Sequence, residues 1–239
     1  MGKHIQKTEA KGSQGDLQLL VAENPGLLNS RISTTFGLPD GFGIEWISPI
    51  PPDYAEYSDD DFLQAVELDP DEIGLSTFWP RGGPHWDGLG IGDDKSIFLV
   101  EAKAHIAEMV SPPSGASPAP LSQIRAELEK TKAFLHAKPD VDWTIHFFQY
   151  ANRLAHIRFL RFERKKPTFL VFVYFLGDQY VHGPTTKEEW LGAINLLHSF
   201  MGVGRTKLTP FVGDVFIHVD EIASNQKLER IGGPLHQPG

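Results

Sequence analysis

The sequence predicts an α/β fold in which helices flank a central mixed β-sheet. Three observations lead there. The run PTFLVFVYFLGD (167–178) is nearly all apolar and rich in β-branched and aromatic residues, the composition of a strand buried on both faces. The stretch HWDGLGIGDDKSIFLVEAKAH (85–105) reads as two strands joined by a tight Gly/Asp turn. Around these lie segments with helical spacing, such as Ile124, Leu128, Thr131 and Leu135 in LSQIRAELEKTKAFLHA. Strands interleaved with helices in this way build a layered sheet with helices packed on it.

Taken in order, residues 1–15 are polar, lack the apolar stretch of a secretory leader, and read as a loose tail. Residues 16–222 form a single domain in this reading, and 223–239 a second loose tail. DLQLLVAE (16–23) is expected as a short helix ended by NPG. Residues 31–58 mix Gly, Pro and aromatics and are expected to wrap the core irregularly. SDDDFLQAVEL (58–68) has an N-cap serine and an acidic first turn, so a helix is expected. STFWP (76–80) reads as a short strand, followed by the hairpin. SPPSGASPAP (111–120) is too rich in Pro and Ser for regular structure and reads as a flexible loop. Two helices follow, 121–137 and 142–166, the second capped by Asp142. After the buried strand, TKEEWLGAINLLHSFMG (186–202) has Thr185 or Thr186 as cap and Gly202 as terminator. VGDVFIHVDEI (212–222) alternates in polarity and reads as the last strand.

Composition narrows the function. No run of eighteen apolar residues occurs, so no membrane span is expected. The 239 residues include no cysteine, which excludes disulfides and thiolate metal sites and fits a cytoplasmic protein. A formal net charge of −9 argues against a surface coated for nucleic-acid binding but leaves room for a local basic groove. Acids cluster early, in DYAEYSDDDF and ELDPDE. Bases cluster later, in RLAHIRFLRFERKK (153–166), which makes that segment the better candidate to meet phosphate.

The hairpin carries the chemistry. With GDDK (92–95) as the turn, Asp87 lies roughly opposite residues 100–101, and alternation puts Glu101 and Lys103 on one face. Two carboxylates and an amine then meet where an apolar sheet ends. Hard oxygen ligands suit Mg²⁺ or Mn²⁺, and a lysine can orient a water or steady developing negative charge. The plainer alternative is a solvated ion pair at a strand end, with Asp87 a turn former. GLGIGD lacks the helix that a dinucleotide loop requires after its glycines, so no such cofactor is expected. His85, His105, His146 and His156 are scattered and read as structural.

The pattern Asp87…Glu101-Ala102-Lys103 resembles the active-site signature of the PD-(D/E)XK nuclease superfamily, with its restriction-endonuclease-like fold. FWPRGGPHWDGLG, VEAKAHI and FQYANRLAHIRFL are similar to a group of bacterial nuclease-like proteins. Pro84 stands three residues before Asp87, displaced from the position that the signature favours. The resemblance implies an Mg²⁺- or Mn²⁺-dependent nuclease acting on nucleic acid, expected to be DNA and to be left with 5′-phosphate ends. Asp87, Glu101 and the carbonyl of Ala102 would bind metal, and Lys103 would position the attacking water. Gln149 and Arg153, one helical turn apart, would face the substrate, and Arg153→Ala is expected to weaken binding with little effect on stability. Glu67 is a further carboxylate that the superfamily pattern suggests, with Glu56 and Asp61 competing for that role. The alternative is a protein that keeps the fold without catalysis, as a binding or structural module.

Overall fold

In a computed structural model that describes residues 2–7, 10–137 and 140–222, the chain builds one five-stranded mixed sheet with helices on both faces. The strands are β1 (Ile44–Ser48), β2 (Gly88–Gly92), β3 (Ile97–Lys103), β4 (Thr168–Leu176) and β5 (Val212–His218), and they lie in chain order. The β1–β2 and β2–β3 pairings are antiparallel, whereas β3–β4 and β4–β5 are parallel. Parallel neighbours need helical crossovers. Accordingly α4 (Pro118–Leu135) and α5 (Phe148–Arg158) connect β3 to β4, and α6 (Lys187–Met201) connects β4 to β5.

Strand alternation divides the core in two. Ile97, Leu99, Phe172 and Tyr174 join one apolar cluster with residues of α4, α5, α6 and the short helix α3 (Asp59–Ala65). Phe98, Val100, Ala102, Val171 and Val173 join another with α1 (Gly12–Glu23) and α2 (Pro25–Phe36). The hairpin, the doubly buried strand and the last strand form as expected. α6 also agrees: Thr186 caps it in a reciprocal box with Glu189, and Gly202 closes it at φ 68°.

Several boundaries differ from the sequence reading, each for a local reason. The N-terminal segment is docked rather than loose. Lys3 and His4 pair with Tyr57 and Glu56, Gly2 N–H donates to Asp61 at 2.7 Å, and α1 begins at Gly12. The 223–239 tail lies outside the described residues. NPG does end α1, but it also starts α2: Asn24 Oδ1 accepts from Leu27 N–H at 3.3 Å, with Pro25 in the first helical position, where a missing N–H costs nothing. Residues 31–58 therefore contain the second half of α2 and all of β1 instead of irregular chain alone. Leu75–Phe78 is a helical turn, not a strand. The proline-rich loop is irregular only to Ser117, because Pro118 and Pro120 occupy the first turn of α4. Asp142 does not cap α5. Its carboxylate accepts from the backbone and hydroxyl of Thr144, and the helix starts six residues later, at Phe148. Past Arg158 the helix widens into a π-helical turn, Phe159–Glu163.

Candidate functional site

The site forms where β2 begins and β3 ends. Gly88 pairs with Val100, which sets Asp87 beside Glu101 as the turn count implied. Beyond Gly88 this edge of β3 has no strand partner among the described residues, and the Asp87 side chain takes its place: Oδ2 accepts from Ala102 N–H at 2.7 Å. Glu101 and Lys103 project from the same face of β3, and the Lys103 ammonium bonds directly to Glu101 Oε1. The hairpin brings the three signature residues together.

Arg153 completes the cluster from α5. Its Nε and Nη2 reach Glu101 Oε2 at 2.7 and 2.6 Å, Nη2 also donates to the His85 carbonyl at 2.9 Å, and Nη1 to Asn152 Oδ1 at 2.8 Å. The guanidinium lies 4.9 Å from the Trp86 ring centroid, within cation–π reach. Glu101 and Arg153 are 3% and 4% exposed. Arg153 therefore faces the site, as expected, but as a buried counter-ion and not as an open phosphate contact. The expectation that Arg153→Ala leaves stability nearly unchanged is corrected by that burial.

Electrostatics separate the two carboxylates. Burial would raise Glu101, but the Arg153 and Lys103 charges outweigh it and hold Glu101 below the usual carboxylate range. For Asp87 the Lys103 charge is outweighed. Burial first, then the Glu101 charge, pushes it up to about 8. Burial would lower Lys103, but Glu101 and Asp87 outweigh it and raise the ammonium above its ordinary value. At neutral pH the trio holds one carboxylate, one protonated carboxyl and one cation. Lys103 is thus held as an ammonium.

A small pocket opens beside the trio, lined by Glu101, Lys103, Gln149, Tyr150, Phe172 and Tyr174 among others, with a volume of about 20 Å³. That is room for about one water-sized group. Gln149 stands exposed on this rim, its backbone N–H bonded to Ser111 Oγ at 2.9 Å. Tyr150 stacks on Phe172 and shares a 2.7 Å hydrogen bond with His198 Nε2.

Other candidates lie elsewhere. Glu67 is away from the site, in an exposed pair with Lys95 at 3.2 Å. Asp61 is taken by Gly2 N–H. Glu56 alone of the three competing acids acts on Asp87, adding a small upward push, and Gln14 holds it at 2.9 Å. His156 is structural as expected: burial among Phe78, Trp79 and Trp86 lowers it to about 3, so it stays neutral. The basic cluster after Arg153, apart from the exposed Lys165, is engaged within the fold. Arg158 pairs with Glu127 at 2.8 Å, Arg161 donates to the Thr168 carbonyl, Arg164 to the Ile73 carbonyl, and Lys166 pairs with Glu72.

Sequence reasoning missed Trp86 as the platform for Arg153, and Tyr174 on the pocket wall. Parity on β4 was the available signal for Tyr174, because it shares a face with Phe172 and pairs with Lys103.

The donor set can be tested against a divalent cation. Among the described residues no three His, Asp or Glu side chains converge, so any cation here has at most two protein carboxylates. Asp87 fits, with one oxygen outside its hydrogen bond and a proton that a cation would displace. Glu101 fits when Lys103, the more accessible of its two partners, gives way. Such a sparse set suits Mg²⁺ or Mn²⁺, which keep most of their shell as water or phosphate. Comparison with protein-family models, curated proteins and solved structures finds no match to the chain.

Proposed function

We propose that the chain is a metal-dependent nuclease of the restriction-endonuclease-like class, cleaving phosphodiester bonds in nucleic acid, with DNA as the substrate. The observation that carries this reading is the convergence of Asp87, Glu101 and Lys103 at one end of a buried hairpin, beside a pocket. The order of elements supports it: antiparallel β1–β2–β3, a helical crossover, then parallel β4. Asp87 and Glu101, with the Ala102 carbonyl, would hold Mg²⁺ or Mn²⁺. Bound there, the cation would lower the pKa of a water and offset charge developing on the phosphate. Lys103, kept protonated by its carboxylate neighbours, orients the attacking water. Arg153 keeps Glu101 ionised and fixed in rotamer.

A second reading has one observation in its favour. Both Glu101 oxygens are already held by Lys103 and Arg153, the pattern of an ion-pair network in a module that binds without cleaving. One assay separates the two. Single- and double-stranded DNA and RNA are incubated with the protein and Mn²⁺ or Mg²⁺. Cleavage that disappears in Asp87→Ala and Lys103→Met, with both variants folded, supports the nuclease. Equal residual cleavage in wild type and variants assigns it to a contaminant and removes the reading.

A further inference from the structure

The pocket has one wall that the three signature residues do not explain. Tyr174 pairs with Lys103 across β3–β4, points to the same face, and lines the pocket with Glu101. It is 2% exposed, and three aromatic rings fix it: Trp190 at 4.8 Å, Phe216 at 5.5 Å and Phe172 at 6.4 Å between centroids. Its hydroxyl makes no hydrogen bond to another described residue, and its ring lines the pocket. Buried hydroxyls are nearly always satisfied, so one left open at a pocket wall is available to a bound group. Burial, followed by the charge of Asp214, pushes its ionisation well above the ordinary tyrosine value, so it remains a donor.

Apart from the exposed Gln149 amide on the rim, the other donors near this wall are occupied. Lys103 and Arg153 are bound to Glu101, and the Tyr150 hydroxyl to His198. The charges nearby also restrict the ligand. Glu101 lies on one side of Tyr174. On the other is Asp214, which pairs with Phe172 across β4–β5. A bare anion between two carboxylates would be repelled. A phosphodiester that arrives with a divalent cation would not.

We propose that Tyr174 is a substrate-binding residue whose hydroxyl donates to a non-bridging oxygen of a metal-bound phosphodiester beside Glu101 and Lys103. The assignment rests on the nuclease reading above. Its test is Tyr174→Phe, which keeps the ring packing and deletes only the open hydroxyl. Deleting an unsatisfied group leaves stability unchanged or raised, so the variant folds with a Tm at or above that of wild type. In Mn²⁺, kcat/KM on a fluorescent oligonucleotide falls about 10- to 100-fold, the range for a hydrogen bond to a charged group. Affinity for the same oligonucleotide in Ca²⁺, read by anisotropy, falls in parallel. The Mn²⁺-induced rise in Tm is unchanged, because the metal's own ligands are intact. A variant that cleaves and binds within twofold of an active wild type overturns the Tyr174 assignment and leaves the nuclease reading standing. A Tm lower by more than about 4 °C shows that the hydroxyl is satisfied inside the fold and also overturns it. A wild type that takes up Mn²⁺ but neither cleaves nor binds any oligonucleotide removes both.

Discussion

Replacing Asp87 with asparagine tests the electrostatic heart of the site in a single variant. Asparagine matches the protonated acid in shape and still offers an oxygen to Ala102 N–H, so the 2.7 Å bond is retained. It cannot ionise. In the wild type, Asp87 keeps its proton up to about 8 in the folded state, against 3.8 in the unfolded chain. Between these values the folded chain binds the extra proton, so stability falls as pH rises. The asparagine variant lacks that loss. Its advantage in the absence of metal therefore grows by up to about 1.4 kcal/mol per pH unit through the window, and levels off above pH 8. For a chain of this size that is roughly 3–6 °C of Tm per pH unit as an upper bound. Glu101 works in the opposite sense. Its lowered pKa contributes stability above its unfolded value and loses it at acid pH, in both proteins alike. The assay is thermal unfolding from pH 5 to pH 9 in EDTA, repeated with Mn²⁺. Mn²⁺ at 100 times its Kd should stabilise the wild type by about 2.7 kcal/mol and the variant hardly at all. Metal affinity of the wild type should itself rise about 50-fold from pH 6 to pH 8, as the competing proton leaves. A variant that is less stable than wild type at pH 8 in EDTA refutes the raised carboxyl. Equal stabilisation of both proteins by Mn²⁺ refutes the metal site.

Arg153→Ala should destabilise the fold by about 3–5 kcal/mol in urea titration, because it strands Glu101 as a buried charge; a loss under 1 kcal/mol would show that water already reaches that carboxylate. Glu67→Ala should change stability by less than about 0.5 kcal/mol and leave cleavage intact, since its pair with Lys95 is exposed. A clear loss of activity would return Glu67 to the site. Oligonucleotide binding should depend shallowly on salt, with a log–log slope of about −1 to −2, because the cations from Arg158 to Lys166 are largely engaged within the fold. A slope steeper than about −4 would require a phosphate-binding surface elsewhere.

The hairpin was legible because period-two alternation and a four-residue turn leave little freedom: once GDDK turns, Asp87 must stand near Glu101 and Lys103 must share its face. Helix ends were less legible, because the same residues serve opposite purposes. Asn-Pro-Gly stops one helix and opens the next, and Asp142 satisfies Thr144 instead of capping α5. The polar N-terminus looked loose because the acceptors for Gly2 and the partners of Lys3 and His4 lie more than fifty residues away.

The basic segment shows the limit most clearly. Its charges can be counted from sequence, but most of their acidic partners lie far away in the chain. Glu101 is on β3, Glu127 is on α4, and Glu72 and the Ile73 carbonyl lie in the short helix Pro70–Ile73 after α3. An arginine on a helix facing a carboxylate pocket can end as a free phosphate contact or as a buried counter-ion, and only packing decides which. Here Trp86 decides, since its ring covers the guanidinium and the His85 carbonyl takes a remaining donor. Much of the positive charge that would offset −9 overall is therefore committed inside the fold. On the nuclease reading proposed above, substrate affinity at this site would then come mainly from a cation at Asp87 and Glu101 and from neutral donors on the pocket wall. That is why the apparently apolar run FVYF matters: the hydroxyl of Tyr174 is a donor in it with no hydrogen bond to another described residue.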